Sequence, residues 1–429
     1  MIEATEQLDR QTLPLDEHEK FVLNSYCRKI KRPGDYDSSL CFLLVKDENA
    51  WRISTSYFIG VDWLDCPSSS IRISPKFNHH ESEIEVDYLK MLEDALKEPN
   101  NFDHLDGLLY VDFNSPSINI PRQDDFLSLF VISEFIHVLA RITSKGLKKS
   151  YYLKNENLHS KVKGKLLLHK NVKTNLVKGN LVDNFCSYQE YGIDIPENKL
   201  LKRALILGSR LLDFYNESTI AHLKRIISSI RPSWKRVSDD FDSRSVQENR
   251  VNPFYKEYPI AIRLAKLILR RTSYNQVIHG VDMTNTPPYW IDMSKLFEMY
   301  VFSKLRERFG NSVIYHPHFR GQEPDYLLTA EKERPPFVID AKYKRYGERA
   351  IETDDIRQVS GYSRLKSVRK RLGIEDHSLI PCMIIYPQHD SLDYVADYSD
   401  WQEEGRYMDI FKAGIELPII QKQSLHDDD

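Results

Sequence analysis

PDYLLTAEKERPPFVIDAKYK, residues 324–344, holds two apolar segments separated by a polar turn, and each carries an aspartate at a strand end. Asp325 opens the first segment, and Asp340 comes fifteen residues later in Asp340-Ala341-Lys342. Residues two apart on a strand share a face, so Asp340 and Lys342 point the same way. If the two segments are neighbouring strands, Asp325 joins them. Two carboxylates and the backbone carbonyl of Ala341 form an oxygen donor set suited to Mg²⁺, with Mn²⁺ as the alternative. Such an ion polarises a scissile phosphate and lowers the pKa of a water it holds. Lys342 can position that water or offset charge in the transition state. An acid-x-Lys triplet alone is cheap, since Glu197–Lys199 repeats it. What distinguishes Asp340 is the apolar run before it, where an unpaired carboxylate is costly.

Outward from this stretch the pattern is that of a compact α/β unit. Asp292 or Ser294 can cap a helix running to about Phe309 and closed by Gly310. Strands are expected near 312–316, 324–329 and 337–343. Asp354 or Asp355 can cap one helix reaching Leu372, with Gly373 after it. A buried strand at 380–386 and a late one near 406–412 complete the unit. Glu298 shares a helical stripe with Phe302, Leu305 and Phe309 and so wants a partner, either Lys342 or a water held at the metal. Gln358 and Tyr362, four apart, share a face that can look back at the site. Arg364, Lys366, Arg369, Lys370 and Arg371 follow, available either to solvent or to phosphates.

Upstream, residues 42–77 read as short strands, residues 83–99 and 124–142 as helices, and 197–216, 218–230 and 256–271 as helices again. Residues 1–15 read as a disordered lead. The connector HGVDMTNTPPYW (279–290), with Pro287 and Pro288, is the best boundary. The expected organisation is therefore mixed α/β in three parts: a β-rich module over 1–120, a mostly helical middle region over 121–285, and an α/β domain over 286–429.

At 429 residues the chain is too long for one typical core. Its net charge of −3 excludes a uniformly basic nucleic-acid binder, but the charge is unevenly spread. Between Arg141 and Lys178 stand ten lysines and one arginine against Glu156 alone. That stretch, with Tyr151, Tyr152 and His159 interleaved, reads either as a solvated, partly disordered surface or as a strip for DNA backbone. The five cysteines form no C-x-x-C pair, which leaves no zinc ribbon or disulfide scaffold to expect. No apolar run approaches a membrane span and no secretion signal is visible, so a cytoplasmic location without membrane contact is expected. A phosphate-binding G-x-x-x-x-G-K-[ST] loop and a G-x-S-x-G elbow are both absent. His316 and His318 can be weighed as transition-metal ligands, although alternating histidines are more often satisfied or solvent-facing. His79-His80 reads as surface.

Asp325, Asp340-x-Lys342, Glu298 and the Gln358/Tyr362 pair together resemble the PD-(D/E)XK nuclease superfamily. The chain is more closely similar to the McrC family, nuclease subunits of McrBC modification-dependent restriction systems. The blocks IDMSKLFEMYV (291–301), PDYLL (324–328), FVIDAKYK (337–344) and DIRQVSGYSRL (355–365) resemble that family in order. SYFIGV (56–61), IRISPKF (71–77), KVKGKLLL (161–168) and IDIPENKLLKRAL (193–205) extend the likeness upstream. The resemblance implies a restriction-endonuclease-like core over 286–429 that cuts double-stranded DNA. It also implies an N-terminal region that docks onto an AAA+ GTPase ring, McrB-like and supplied in trans, and stimulates its hydrolysis. On this reading Asp325, Asp340 and Ala341 hold the metal, Lys342 assists the attacking water, Glu298 tunes the site, and Gln358 with Tyr362 orients it. Two other readings stay open: a GTPase-activating adaptor and DNA clamp with a degenerate nuclease fold, and a stand-alone repair nuclease.

Overall fold

A computed structural model describes residues 1–13, 25–31, 38–47, 50–65, 68–77, 84–105, 107–121, 125–213, 215, 217–240, 253–274, 283–317, 323–331, 334–344, 352–376, 378–388, 402–403 and 405–421. His79, His80, His318 and Asp427 to Asp429 lie outside them. Helices are α1 (Tyr88–Lys97), α2 (Phe126–Lys145), α3 (Leu168–Thr174), α4 (Pro196–Leu212), α5 (Glu217–Trp234), α6 (Glu257–Tyr274), α7 (Met293–Phe309), α8 (Thr353–Ser363) and α9 (Lys366–Leu372). Two units divide the chain: Met1–Leu127 with Val281–Asp429, and Ser128–Gly280.

In the first unit a six-stranded mixed sheet runs in the order Val313–Tyr315, Tyr326–Leu328, Phe337–Ala341, Cys382–Gln388, Ile410–Glu416, Gln402–Glu403. Phe337–Ala341 is buried at every position, as a central strand covered on both faces must be. One face packs Leu327, Val338 and Ile384 against Ile356 and Val359 of α8 and Val368 of α9. On the other, Tyr326 stacks on Phe302 of α7 at 6.3 Å and donates its hydroxyl to the Glu298 carbonyl at 2.6 Å. Asp292 caps α7 by accepting the Lys295 N–H at 3.1 Å, and Gly310 ends it. The single helix expected to run from Asp354 or Asp355 to Leu372 is two helices. It breaks at Arg364–Leu365, where charge periodicity gives no warning.

Of the connector, Met283 to Trp290 fall within the described residues. Met283–Thr286 pairs antiparallel with Ile118–Pro121. Tyr289–Asp292 enters a five-stranded sheet between Phe58–Asp65 and Leu109–Val111, with Ser69–Ser74 and Ile2–Thr5 beyond. Pro287 and Pro288 hide this strand from a reading by turn residues. The disordered lead is overturned for residues 1–13. Ile2–Thr5 pairs parallel with Ile71–Ser74, burying Ile2 and Ala4, and Gln11–Leu13 pairs with Trp51–Ile53. Two alternating apolar residues among polar ones are too weak a sequence signal for an edge strand.

Helix α1 packs along α7 and buries Glu93, which is 2% exposed, with Oε1 lacking a hydrogen-bond partner. Burial, reinforced by Asp87 and Asp94 and opposed by Lys90, pushes its carboxyl up to about 7. The unfolded chain releases this proton near 4.5 and the folded chain near 7, so the fold binds the proton more tightly. Stability is therefore greatest at low pH on this account, falls between those values and is level above. Glu93→Gln should flatten that slope and stabilise the chain at pH 8 by roughly 3 kcal/mol. Urea unfolding at pH 5 and pH 8 measures it, and equal slopes in both chains would refute it.

In the second unit α2 is long and apolar enough to cross a membrane, where no such run was expected, and most of it is buried inside the fold. Gly208 of α4 faces Ile132 of α2 and Ile268 of α6, at a distance where a Cβ would make ordinary contact. Trp234 is buried and donates its indole N–H to Thr143 at 3.0 Å. The lysine stretch is not a disordered surface. Ser150–His159 pairs with Asp183–Gly192 over ten residues, joined by Lys165–Leu166 and α3. The middle region is thus helical with a three-stranded antiparallel sheet, dominated by a long two-stranded ribbon.

Candidate metal and phosphodiester site

Register brings the two aspartates together. Tyr326 pairs with Ile339, and one step further along that antiparallel ladder sets Asp325 opposite Asp340. Directly opposed residues share a face. Asp325 Oδ2 accepts the Ala341 N–H at 2.7 Å, which ties its carboxylate to the neighbouring strand. Asp340 is 1% exposed, and Lys342 Nζ stands 2.6 Å from its Oδ2. Lys342 donates to Gln358 Oε1 at 2.9 Å, and Gln358 Nε2 donates to the Tyr362 hydroxyl at 2.7 Å. Five of the expected residues thus form one connected chain on the face covered by α8.

Glu298 comes from the opposite layer and does not pair with Lys342. Its carboxylate lies 3.4 Å from His316 Nε2 and accepts from Ser294 Oγ at 3.4 Å. His316 has φ +39°, strained for a residue with a Cβ, and its N–H donates to the Asp325 carbonyl at 2.9 Å. Burial, then the charges of Asp340 and Glu298, raise the Asp325 carboxyl well above the usual range, against the Ala341 N–H and Lys342. Burial also raises Asp340, opposed by Lys342. For Lys342 burial works against the ammonium, but the Asp340 charge outweighs it and the pKa is raised. Burial raises Tyr362.

The donor set fits a hard divalent cation. Asp340 Oδ2 is buried with no aligned hydrogen bond, despite its close approach to Lys342. Two elevated carboxyls facing each other are the arrangement a cation relieves. Among the described residues no three His, Cys, Asp or Glu side chains gather closely enough to hold a metal, so a third protein ligand would be a backbone carbonyl. Of the basic residues at the end of α8 and on α9, Arg369 is committed to the carbonyls of Ser378 and Asp376, while Arg364, Lys366, Lys370 and Arg371 are exposed.

Sequence reasoning missed the residues around Tyr343. Its hydroxyl donates to Glu6 Oε1 at 3.0 Å, and its carbonyl accepts from Gln7 Nε2 at 2.7 Å and Lys76 Nζ at 2.6 Å. These partners lie more than 250 positions away, beyond any local pattern. The lysine-rich ribbon and its connection carry exposed apolar side chains among their charges: Tyr151, Leu153, Val177, Leu181 and Tyr191 are each more than half exposed.

Comparisons with known proteins place the chain among restriction-system components. The family model described as McrBC 5-methylcytosine restriction system component matches residues 55–387, and the chain belongs to that family. Two solved assemblies from Thermococcus gammatolerans are similar at 16% identity. One is a refined half-complex from a tetradecameric assembly of McrB AAA+ hexamers with bound McrC, with 86% of this chain and 80% of that chain covered and a TM-score of 0.38. The other is a cryo-EM structure of the McrBC complex, with 59% and 67% covered and a TM-score of 0.28. No curated protein matches.

Proposed function

We propose that the chain is a metal-dependent endodeoxyribonuclease subunit with a PD-(D/E)XK core, acting in the cytoplasm on methylated double-stranded DNA within a McrBC-like complex. The observation that carries this is the cross-strand placement of Asp325 and Asp340 with Lys342 on the same face. Asp325, Asp340 and the Ala341 carbonyl would hold Mg²⁺ or Mn²⁺, which would supply Lewis acidity toward the scissile phosphate. Lys342 keeps its proton at Nζ beside Asp340 and so offers positive charge to the developing phosphorane oxygens. Gln358, itself held by Tyr362, fixes the direction of that ammonium. Glu298 acts through its charge on both aspartates and is aimed by His316. Exposed Lys366, Lys370 and Arg371 suit the phosphate backbone.

The partner is an AAA+ GTPase supplied in trans. The exposed apolar and basic ribbon of the second unit offers it a face, alongside the N-terminal module expected to dock. Purified chain, the GTPase, GTP, Mg²⁺ and methylated plasmid should yield double-strand cuts. Asp340→Ala should remove cutting and leave GTP turnover stimulated. Unimpaired cleavage by that variant would dismiss the reading. The lack of a third acidic ligand among the described residues favours, as a second reading, an adaptor without catalysis. Stimulated GTP turnover with no nicking by the wild-type chain would select it.

A further inference from the structure

Immediately after Lys342 the backbone leaves the sheet. The Lys342 N–H still bonds Ile385 O at 2.8 Å, but the Lys344 N–H turns back to Lys342 O at 2.8 Å. Tyr343 is the pivot of this turn, and the N-terminal module grips it. Its ring lies under Lys76 Nζ, 3.6 Å from the centroid, and between Phe77 and Phe297, each at 5.5 Å. Its carbonyl accepts from both Gln7 Nε2 and Lys76 Nζ, and Lys76 Nζ also donates to Gln7 Oε1 at 2.6 Å. Gln7 reaches this position at φ +59°, a left-handed backbone that costs a non-glycine residue on the order of 1 kcal/mol. It is held there by its N–H bond to Ser56 O at 3.0 Å. Glycine would relax that backbone but would carry no amide to the Tyr343 carbonyl.

We propose that Gln7, with Lys76, is a positioning residue for Lys342, acting through the Tyr343 carbonyl, so that the N-terminal module is part of the nuclease site's scaffold. The role assigned to Lys342 rests on the function proposed above; the clamp itself does not. A partner that pulls on residues 5–8 would shift Lys342 without touching DNA.

Two full-length variants test this. Gln7→Glu keeps an acceptor for Lys76 and removes the donor to Tyr343. Gln7→Gly removes the amide and relieves the backbone, so its melting temperature should hold or rise. The first readout is acetylation of Lys342 by an amine-reactive ester in metal-free protein, mapped by mass spectrometry against exposed Lys366. Both variants should raise the Lys342 ratio roughly fivefold, the consequence of losing one hydrogen bond. The second is cleavage with the GTPase partner, where the saturated rate should fall with DNA affinity unchanged. A wild-type labelling ratio in both variants overturns the proposal. Raised labelling with no cleavage by the wild-type chain would instead sink the nuclease reading and leave the clamp standing.

Discussion

Asp325→Asn will lower DNA cleavage by roughly a thousandfold or more and, in metal-free protein, raise the melting temperature. The two effects share one cause. Asp325 faces Asp340 across the ladder and feels Glu298 as well, and burial compounds the repulsion. An amide keeps the hydrogen bond from Ala341 N–H, because its oxygen still accepts. It removes one of the facing charges, so the fold gains what the site loses, a usual trade at catalytic positions. Mg²⁺ should stabilise the wild-type chain, as a ligand bound only by the native state does, and should leave the variant unmoved. Differential scanning calorimetry with and without Mg²⁺, beside a plasmid assay, reads both. A lower melting point in the variant, or normal cutting, would contradict the account.

Gly60→Ala should destabilise the first unit by about 3 kcal/mol or more. Gly60 has φ +153° and pairs with Trp290, and a Cβ there would stand 2.0 Å from the Tyr289 carbonyl oxygen. Backbone cannot yield as a flexible side chain would, so Phe58–Asp65 and Tyr289–Asp292 must part. The latter runs straight into α7, so cleavage should fall through Glu298 although no site residue is altered. Chemical denaturation gives the stability change, and an unmoved midpoint would show that the sheet adapts.

The site was legible in the sequence where chemistry and period coincide. Asp340 and Lys342 share a face by simple alternation, and Asp325 needed only the adjacent strand, which Tyr326–Leu328 supplies. Gln358 and Tyr362 were readable from helical spacing. The helical stripe of Glu298 was readable, but its contact with His316 was not, because His316 reaches it from a strained turn that no periodicity encodes. The ribbon was hard to read because Ser150–His159 buries neither face: Tyr151 and Leu153 face outward, while Tyr152 and Leu158 share the less exposed face with the ion-paired Lys154 and Glu156. Residues 1–13 and the Tyr343 grip were invisible, since their partners are distant in sequence and the stabilising groups are polar.

The pairing of Ile118–Pro121 with Met283–Thr286 brackets the whole of Ser128–Gly280. The chain departs for its second unit and returns through adjacent strands, so the host needs nothing from the excursion to close its own ladder. Such an arrangement makes the guest a genetic cassette. A lineage can lengthen, swap or lose it in one recombination event while inheriting the strands that carry Asp325 and Asp340 unchanged.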